Sequence, residues 1–304
     1  MGPLEGDMLV SRDRSLWVVK GCYHPPNGVV AVPRLFGGRR VKRFRDSLAI
    51  VARYYRHYMR YLPVLGLRVP VVPWSDVREY LSVFEEGLGV LEGGGELVRA
   101  CRGLVRLLSD YCGLKCGVSG SLLGGYYTGS SDVDLICIDR EGAYGCLKRL
   151  RELGFLKPLT GRLFWSELAE VSESLSAEDH ARLVSSKVLQ GVFSGVKYTI
   201  RVVNCCEARV GRVLGPYRAA MTVSDVVLRV VSSDYRTPSI HGVEVVRPWT
   251  SYLSGEAVLI SYRVRFTELP EGALVLADRA ELHVKDVGPP ILCMDSAGSR
   301  VMVA

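Results

Sequence analysis

Side-chain amides are almost missing from this chain: its 304 residues include two asparagines and one glutamine. Arginine outnumbers lysine by 31 to 8. Scarce thermolabile amides are a trait of hyperthermophile proteins, and a thermophilic source is the expectation. Long apolar runs are missing too. None approaches the ~18 residues that a membrane-spanning helix requires. The first residues carry Glu5, Asp7 and Asp13 and no apolar segment, unlike a secretory signal. A cytoplasmic location is therefore expected. No paired Cys-x₂-Cys occurs: Cys112 and Cys116 are separated by three residues, and Cys205 and Cys206 are adjacent. That excludes the usual structural zinc patterns. Most of the nine cysteines lie in apolar runs and read as small core residues. Intracellular disulfides, tolerated in hyperthermophiles, stay open. His24 and His57 have no metal-spaced partner, and no internal repeat or low-complexity tract is evident.

The net charge of +7 is unevenly placed. Residues 1–84 carry a surplus of +8, residues 85–215 balance, and residues 216–304 stand at −1. A polyanionic partner would meet the N-terminal third first.

The same three segments differ in pattern. In 1–84, two strands flank the turn Pro25-Pro26-Asn27-Gly28. A helix is expected from about Val41 to Leu62, with Phe44, Leu48, Val51, Tyr55, Tyr58 and Leu62 on one face and Arg53, Arg56 and Arg60 on the other. Pro63 stops it. A strand or linker runs to Trp74, and a short helix is expected from the cap candidate Ser75. In 85–215, helices are expected over Glu96–Cys112 and Glu141–Leu153, and at roughly 163–171 and 177–190. A strand is expected over Val196–Asn204. In 216–304, short β-rich runs punctuated by Gly, Pro and Asp read as a small barrel or sandwich. The expected fold class is α+β, with a central mixed-sheet domain between a basic α+β unit and a β-rich domain.

The chemistry concentrates in Val118-Ser-Gly-Ser-Leu-Leu-Gly-Gly-Tyr-Tyr-Thr-Gly-Ser-Ser-Asp-Val-Asp-Leu-Ile-Cys-Ile138. A short strand ends in Gly120-Ser121, and Asp132-Val133-Asp134 leads into an apolar strand. Residues two apart on a strand share a face, so the two carboxylates stand side by side. Hard oxygen ligands beside a Gly/Ser turn with free N–H groups suit a Mg²⁺-bound nucleoside triphosphate.

This pattern resembles the signature of the DNA polymerase β-like nucleotidyltransferase superfamily. With the opening segment Val18–Arg34 and the segment Ile260–Glu268, it is similar to an uncharacterised archaeal group of predicted nucleotidyltransferases. The resemblance implies phosphate contacts by Gly120 and Ser121 and metal ligation by Asp132 and Asp134. It implies two Mg²⁺ ions, with Mn²⁺ able to substitute. The reaction implied is attack of an acceptor hydroxyl on the α-phosphate of an NTP, with pyrophosphate leaving. Ser130 and Ser131 could add hydroxyl contacts or serve only as turn residues.

Active members carry a third carboxylate on a neighbouring strand. The matching strand, Lys197–Val203, contains no acid; Arg201 stands near the expected place, and Glu207 is the candidate substitute. Two functions follow as expectations. One is nucleotidyl transfer to an RNA end, a protein or a small molecule. The other is a catalytically weakened relative that binds nucleotide or nucleic acid. The arginines of the N-terminal helix, Arg53, Arg56 and Arg60, with Tyr54 and Tyr61 near them, are the nucleic-acid candidates. A solvated arginine face over a tyrosine-lined core is the alternative.

Overall fold

The computed structural model describes residues 2–170, 177–206, 209, 211, 213–295 and 300–303. In chain order, strands β1 (Met8–Ser11), β2 (Leu16–Val19), β3 (Gly28–Phe36) and β4 (Arg39–Arg40) precede helix α1 (Phe44–Tyr54). Strands β5 (Met59–Leu62), β6 (Leu67–Pro73) and β7 (Val77–Leu81) lead to α2 (Glu86–Gly89) and α3 (Glu96–Cys112). Then come β8 (Cys116–Val118), α4 (Gly120–Leu123), β9 (Val133–Ile138) and α5 (Ala143–Glu152). Helices α6 (Gly161–Glu170) and α7 (Ala177–Ser186) precede β10 (Gln190–Phe193) and β11 (Val196–Val203). The remainder is β12 (Ala219–Val223), β13 (Val226–Ser232), β14 (Arg236–Thr237), β15 (Ser239–Thr250), β16 (Leu253–Ser261), β17 (Leu274–Asp278), β18 (Ala280–Val284), β19 (Ile291–Cys293) and β20 (Arg300–Val303). The fold is mixed α+β.

Contacts group the chain into two compact units. The first is Met1–Tyr58, Pro70–Phe164 and Ser185–Asn204; the second is Met59–Val69, Trp165–Val184 and Cys205–Ala304. The boundary expected at residue 84 falls inside the first unit, because β7 pairs with β1 in the register Leu9↔Tyr80.

Two sheets build the first unit. One runs β6-β3-β2-β1-β7. The other runs β10-β11-β9-β8, with β8 antiparallel and β11 parallel to the central β9. Met8, Leu16, Val18 and Val32 of the first sheet share a buried cluster with Ile136 and Val203 of the second. Each such aliphatic side chain contributes roughly 1.5–3 kcal/mol by leaving water. Of the stripe that periodicity predicts for helix α3, Leu97, Cys101, Leu104 and Leu108 are buried, while Tyr111 is exposed. Gly113, left-handed at φ 58°, closes the helix.

The helix expected over residues 41–62 ends at Tyr54. Tertiary contacts override its periodicity: the Tyr55 and Tyr58 rings pack on Trp17 at 4.9 and 5.6 Å. Tyr55 donates its hydroxyl proton to Asp13, and Tyr58 donates to Asp76 at 2.8 Å. Trp17, Asp13 and Asp76 hold the two rings, and the chain leaves the helix after Tyr54. The helix expected at Ser75 is a single 3₁₀ turn, Trp74–Asp76, followed by β7. Val77, Tyr80 and Leu81 suit a strand, and the open edge of β1 takes them up.

Disulfides join Cys112 to Cys146 and Cys116 to Cys137. They close sequence separations of 34 and 21 residues, and chain-entropy arguments assign each about 3–4 kcal/mol. Denatured, unreduced protein should therefore show fewer than the nine thiols of the sequence, and reductant should lower Tm. Nine reactive thiols before reduction would contradict the bonds.

In the second unit, one eight-stranded sheet runs β12-β18-β19-β16-β15-β13-β17-β20. Leu228, Val243, Leu259, Phe266, Val275 and Leu282 lie in its core cluster. The β-rich segment expected from residue 216 is thus a single long sheet, and among the described residues no pairing joins β12 to β20 into a barrel.

Candidate functional site

The site grows from the turn between β8 and α4. Ser119 is buried; its hydroxyl donates to the carbonyl of Gly6 at 2.6 Å, and its N–H donates to the carbonyl of Asp134 at 2.9 Å. These bonds hold the turn against the first residues of β9. Gly120 follows at φ +64°, a conformation that favours glycine. An added Cβ there would overlap the Asp134 carboxylate and lie 2.8 Å from Asp134 Cβ. The bare Cα therefore makes room for the acid. Ser121 comes next, and its Oγ is buried with no hydrogen-bond partner. A buried hydroxyl left unpaired costs about 1–3 kcal/mol, and an incoming acceptor oxygen would relieve it.

Asp132 and Asp134 stand where β9 begins, and among the described residues neither carboxylate has a side-chain hydrogen bond or an ion pair. Burial, and then the neighbouring Asp132 charge, push Asp134 up to about 7; Arg201, Arg34 and Lys20 pull it the other way. The sign of the linkage is fixed. A carboxyl raised in the folded state holds its proton there while the unfolded chain releases it, so stability falls as pH rises from about 4 to about 7. Asp134→Asn should remove that slope and raise Tm at pH 8 in metal-free buffer. Identical pH profiles for parent and variant would contradict the assignment.

The register of β11 on β9 shows which side chains of β11 accompany the carboxylates. Thr199 pairs with Asp134 and Arg201 with Ile136, so both lie on the face of the carboxylates. Neither is acidic. Arg201 Nη1 lies 3.2 Å from Glu5 Oε1, and Lys20 Nζ lies 2.7 Å from the same oxygen. The Gly21 N–H donates to Glu5 Oε2 at 2.6 Å. Burial alone would raise the Glu5 carboxyl, but the two cations hold it below the ordinary value. Burial lowers Lys20 to about 8 despite Glu5. Glu5, Lys20 and Arg34 were not legible as site neighbours, since only the docking of two distant sheets brings them to Arg201 and Asp134. Glu207 lies outside the described residues.

Ser130 and Ser131 take up turn bonding. The Thr128 N–H donates to Ser131 Oγ at 2.9 Å, and Ser130 Oγ lies 3.2 Å from Thr128 Oγ1. The loop's start is pinned by Arg40, which donates to the Tyr126 carbonyl and stacks 5.1 Å from the Tyr126 ring centre.

The nucleic-acid candidates do not share a helix face. Arg53 ends α1, Arg56 opens a 3₁₀ turn, and Arg60 lies on β5. Arg53 covers the Tyr54 ring at 5.2 Å, and that ring packs on Phe36 at 4.9 Å. Tyr54 is partly engaged by these contacts, yet it and Tyr61 both stay exposed.

Among the described residues, no three His, Cys, Asp or Glu side chains form a metal-binding group. Two carboxylates still fit Mg²⁺, which commonly takes one or two from the protein and the rest from water and substrate phosphate. The unpaired Asp couple and the orphaned Ser121 hydroxyl fit a metal–triphosphate better than a bare ion. No protein-family model matches the chain, and no curated protein matches it significantly.

Proposed function

We propose that the first unit binds a Mg²⁺-bound nucleoside triphosphate and transfers its nucleotidyl group to a hydroxyl acceptor. One observation carries this reading: two unpaired carboxylates side by side, with Gly120 cleared beneath one of them and an unpartnered Ser121 hydroxyl on the same turn. Asp132 and Asp134 would hold the metal, which when bound neutralises phosphate charge and polarises the phosphoryl oxygens. Mn²⁺ would serve in its place. Gly120 allows backbone approach, and Ser121 donates to a phosphate oxygen. Lys20, Arg34 and Arg201 add positive potential on the polyphosphate side.

The β11 register favours a second reading, nucleotide binding with transfer weakened or lost. Thr199 stands beside Asp134 where an acid would assist the acceptor. RNA binding through the exposed arginines 39, 40, 43, 45, 53 and 56 is compatible with either reading. It would weaken steeply with salt.

Labelled NTPs should bind the parent only with Mg²⁺ or Mn²⁺, and Asp132→Ala/Asp134→Ala should weaken binding by at least ~100-fold, the scale of a lost metal site. Pyrophosphate release in the presence of acceptors separates the two readings. A parent that binds no NTP with either metal would overturn both.

A further inference from the structure

A cavity of about 520 Å³ adjoins the loop that leads into the Asp pair. Its walls are the first turn of α3 with the preceding Gly94-Gly95, the loop from Tyr127 to Ser131, Leu163, and the start of β11 from Gly195 to Lys197. Small-molecule pockets span roughly 300–1,000 Å³, so this one has room for a ring compound and no more than the end of a polymer. Ser131 on its wall precedes Asp132 in the chain, and Lys197 on its wall lies two residues before Thr199, the β11 partner of Asp134, so the cavity adjoins the strand ends that carry the carboxylates.

The lining mixes hydroxyl, charged and apolar side chains, Glu96 and Lys197 being the charged ones. Thr128, Ser130 and Ser131 offer three hydroxyls. Each hydroxyl has one donor and two acceptor positions, so their mutual contacts leave capacity for a ligand. Leu163, Val196 and the Tyr127 ring give an apolar wall. Hydroxyls, a carboxylate, an ammonium and apolar surface together suit a small ring that bears several hydroxyls. We propose that this cavity is the seat of a small polyhydroxylated acceptor, of monosaccharide size, whose hydroxyl faces the nucleotide held at Asp132 and Asp134. The proposal rests on the nucleotide-binding reading and narrows its acceptor to a small molecule.

In the transfer, the acceptor oxygen forms a bond to the α-phosphorus. The bond from that phosphorus to the oxygen bridging to the β-phosphate breaks, and pyrophosphate leaves with its electron pair. The hydroxyl proton passes to solvent.

Two glycines of the lining allow the cavity to be narrowed. An added Cβ at Gly94 or Gly129 meets nothing within 4 Å, so a large side chain can be introduced without a clash at its base. The test uses the full chain with Mg²⁺ and a non-hydrolysable NTP analogue. Ribose, ribose 5-phosphate, glycerol 3-phosphate and inositol are titrated separately, as is a 20-mer RNA. At least one of the four small probes should bind, and Gly94→Trp and Gly129→Trp, with parental Tm, should weaken it tenfold or more. Comparing ribose with ribose 5-phosphate shows whether the phosphate contributes. If the analogue itself fails to bind the parent, the nucleotide reading has failed. If the analogue binds but none of the four probes does, or if only RNA binds, the small-acceptor proposal is overturned. Loss of the analogue in the tryptophan variants would assign the cavity to the nucleoside half of the NTP and would overturn it equally.

Discussion

Glu5→Ala should destabilise the protein by about 3–5 kcal/mol, the scale for removing one partner of a buried charge group. Glu5 is fully buried, and its carboxylate receives Lys20, Arg201 and the Gly21 N–H. Alanine would leave two cations facing each other in a site that water does not reach well. Lys20, already lowered to about 8 with its partner present, would lose the only carboxylate it touches among the described residues. Chemical denaturation at pH 7 measures the loss. Glu5→Gln keeps the volume and one acceptor, and should recover part of it. The parent's own contribution from Glu5 has a defined window. Its folded pKa is depressed, so the stabilisation is full above the ordinary carboxylate range and disappears as pH falls through the folded value. A loss below 1 kcal/mol in Glu5→Ala would show that the three groups are not coupled as the distances indicate.

Gly120→Ala should abolish metal-dependent nucleotide binding without removing a single ligand atom. The backbone conformation at φ +64° costs an L-residue about 1–2 kcal/mol. The larger effect is steric, because the new methyl occupies the place of the Asp134 carboxylate. Asp134 must rotate away or the turn must open, and either breaks the side-by-side pair. Affinity for Mg²⁺·NTP should fall at least ~100-fold, as for loss of the carboxylates themselves. Ser121→Ala is the contrasting control. It deletes an unpaired buried hydroxyl, so stability should hold or rise while nucleotide affinity drops by a factor of about ten, one hydrogen bond's worth. Parental affinity in Gly120→Ala would show that the carboxylate position is unimportant, and with it the proposed site.

The elements with strong local signals were legible. Helix α3 follows from an apolar stripe ended by Gly113, and β8, α4 and β9 follow from the Gly-Ser and Asp-x-Asp spacing. What failed did so where distant contacts outbid local preference. Tyr55 and Tyr58 have helical spacing, yet Trp17, Asp13 and Asp76 claim them and end α1 early. The helix expected at 177–190 ends at Ser186, and the unforeseen strand β10 follows because the edge of β11 was open to pair Gln190–Phe193. The carboxylate pair could be placed from spacing alone. Of its charged surroundings only Arg201 could be placed, from its strand; Glu5, Lys20 and Arg34 lie far away in sequence, Glu5 by 196 residues from Arg201.

The bond between Cys116 and Cys137 has a meaning beyond its contribution to stability. These residues face each other across β8 and β9, the strand that delivers Gly120 and the strand that carries Asp134. In a β-ladder, slipping by a single residue sends every side chain to the opposite face. Such a slip here would turn both carboxylates away from the glycine turn. The sulfur bridge forbids it while intact, so the alignment of turn and acids is written into covalent connectivity and does not depend on hydrogen bonds that loosen with heat.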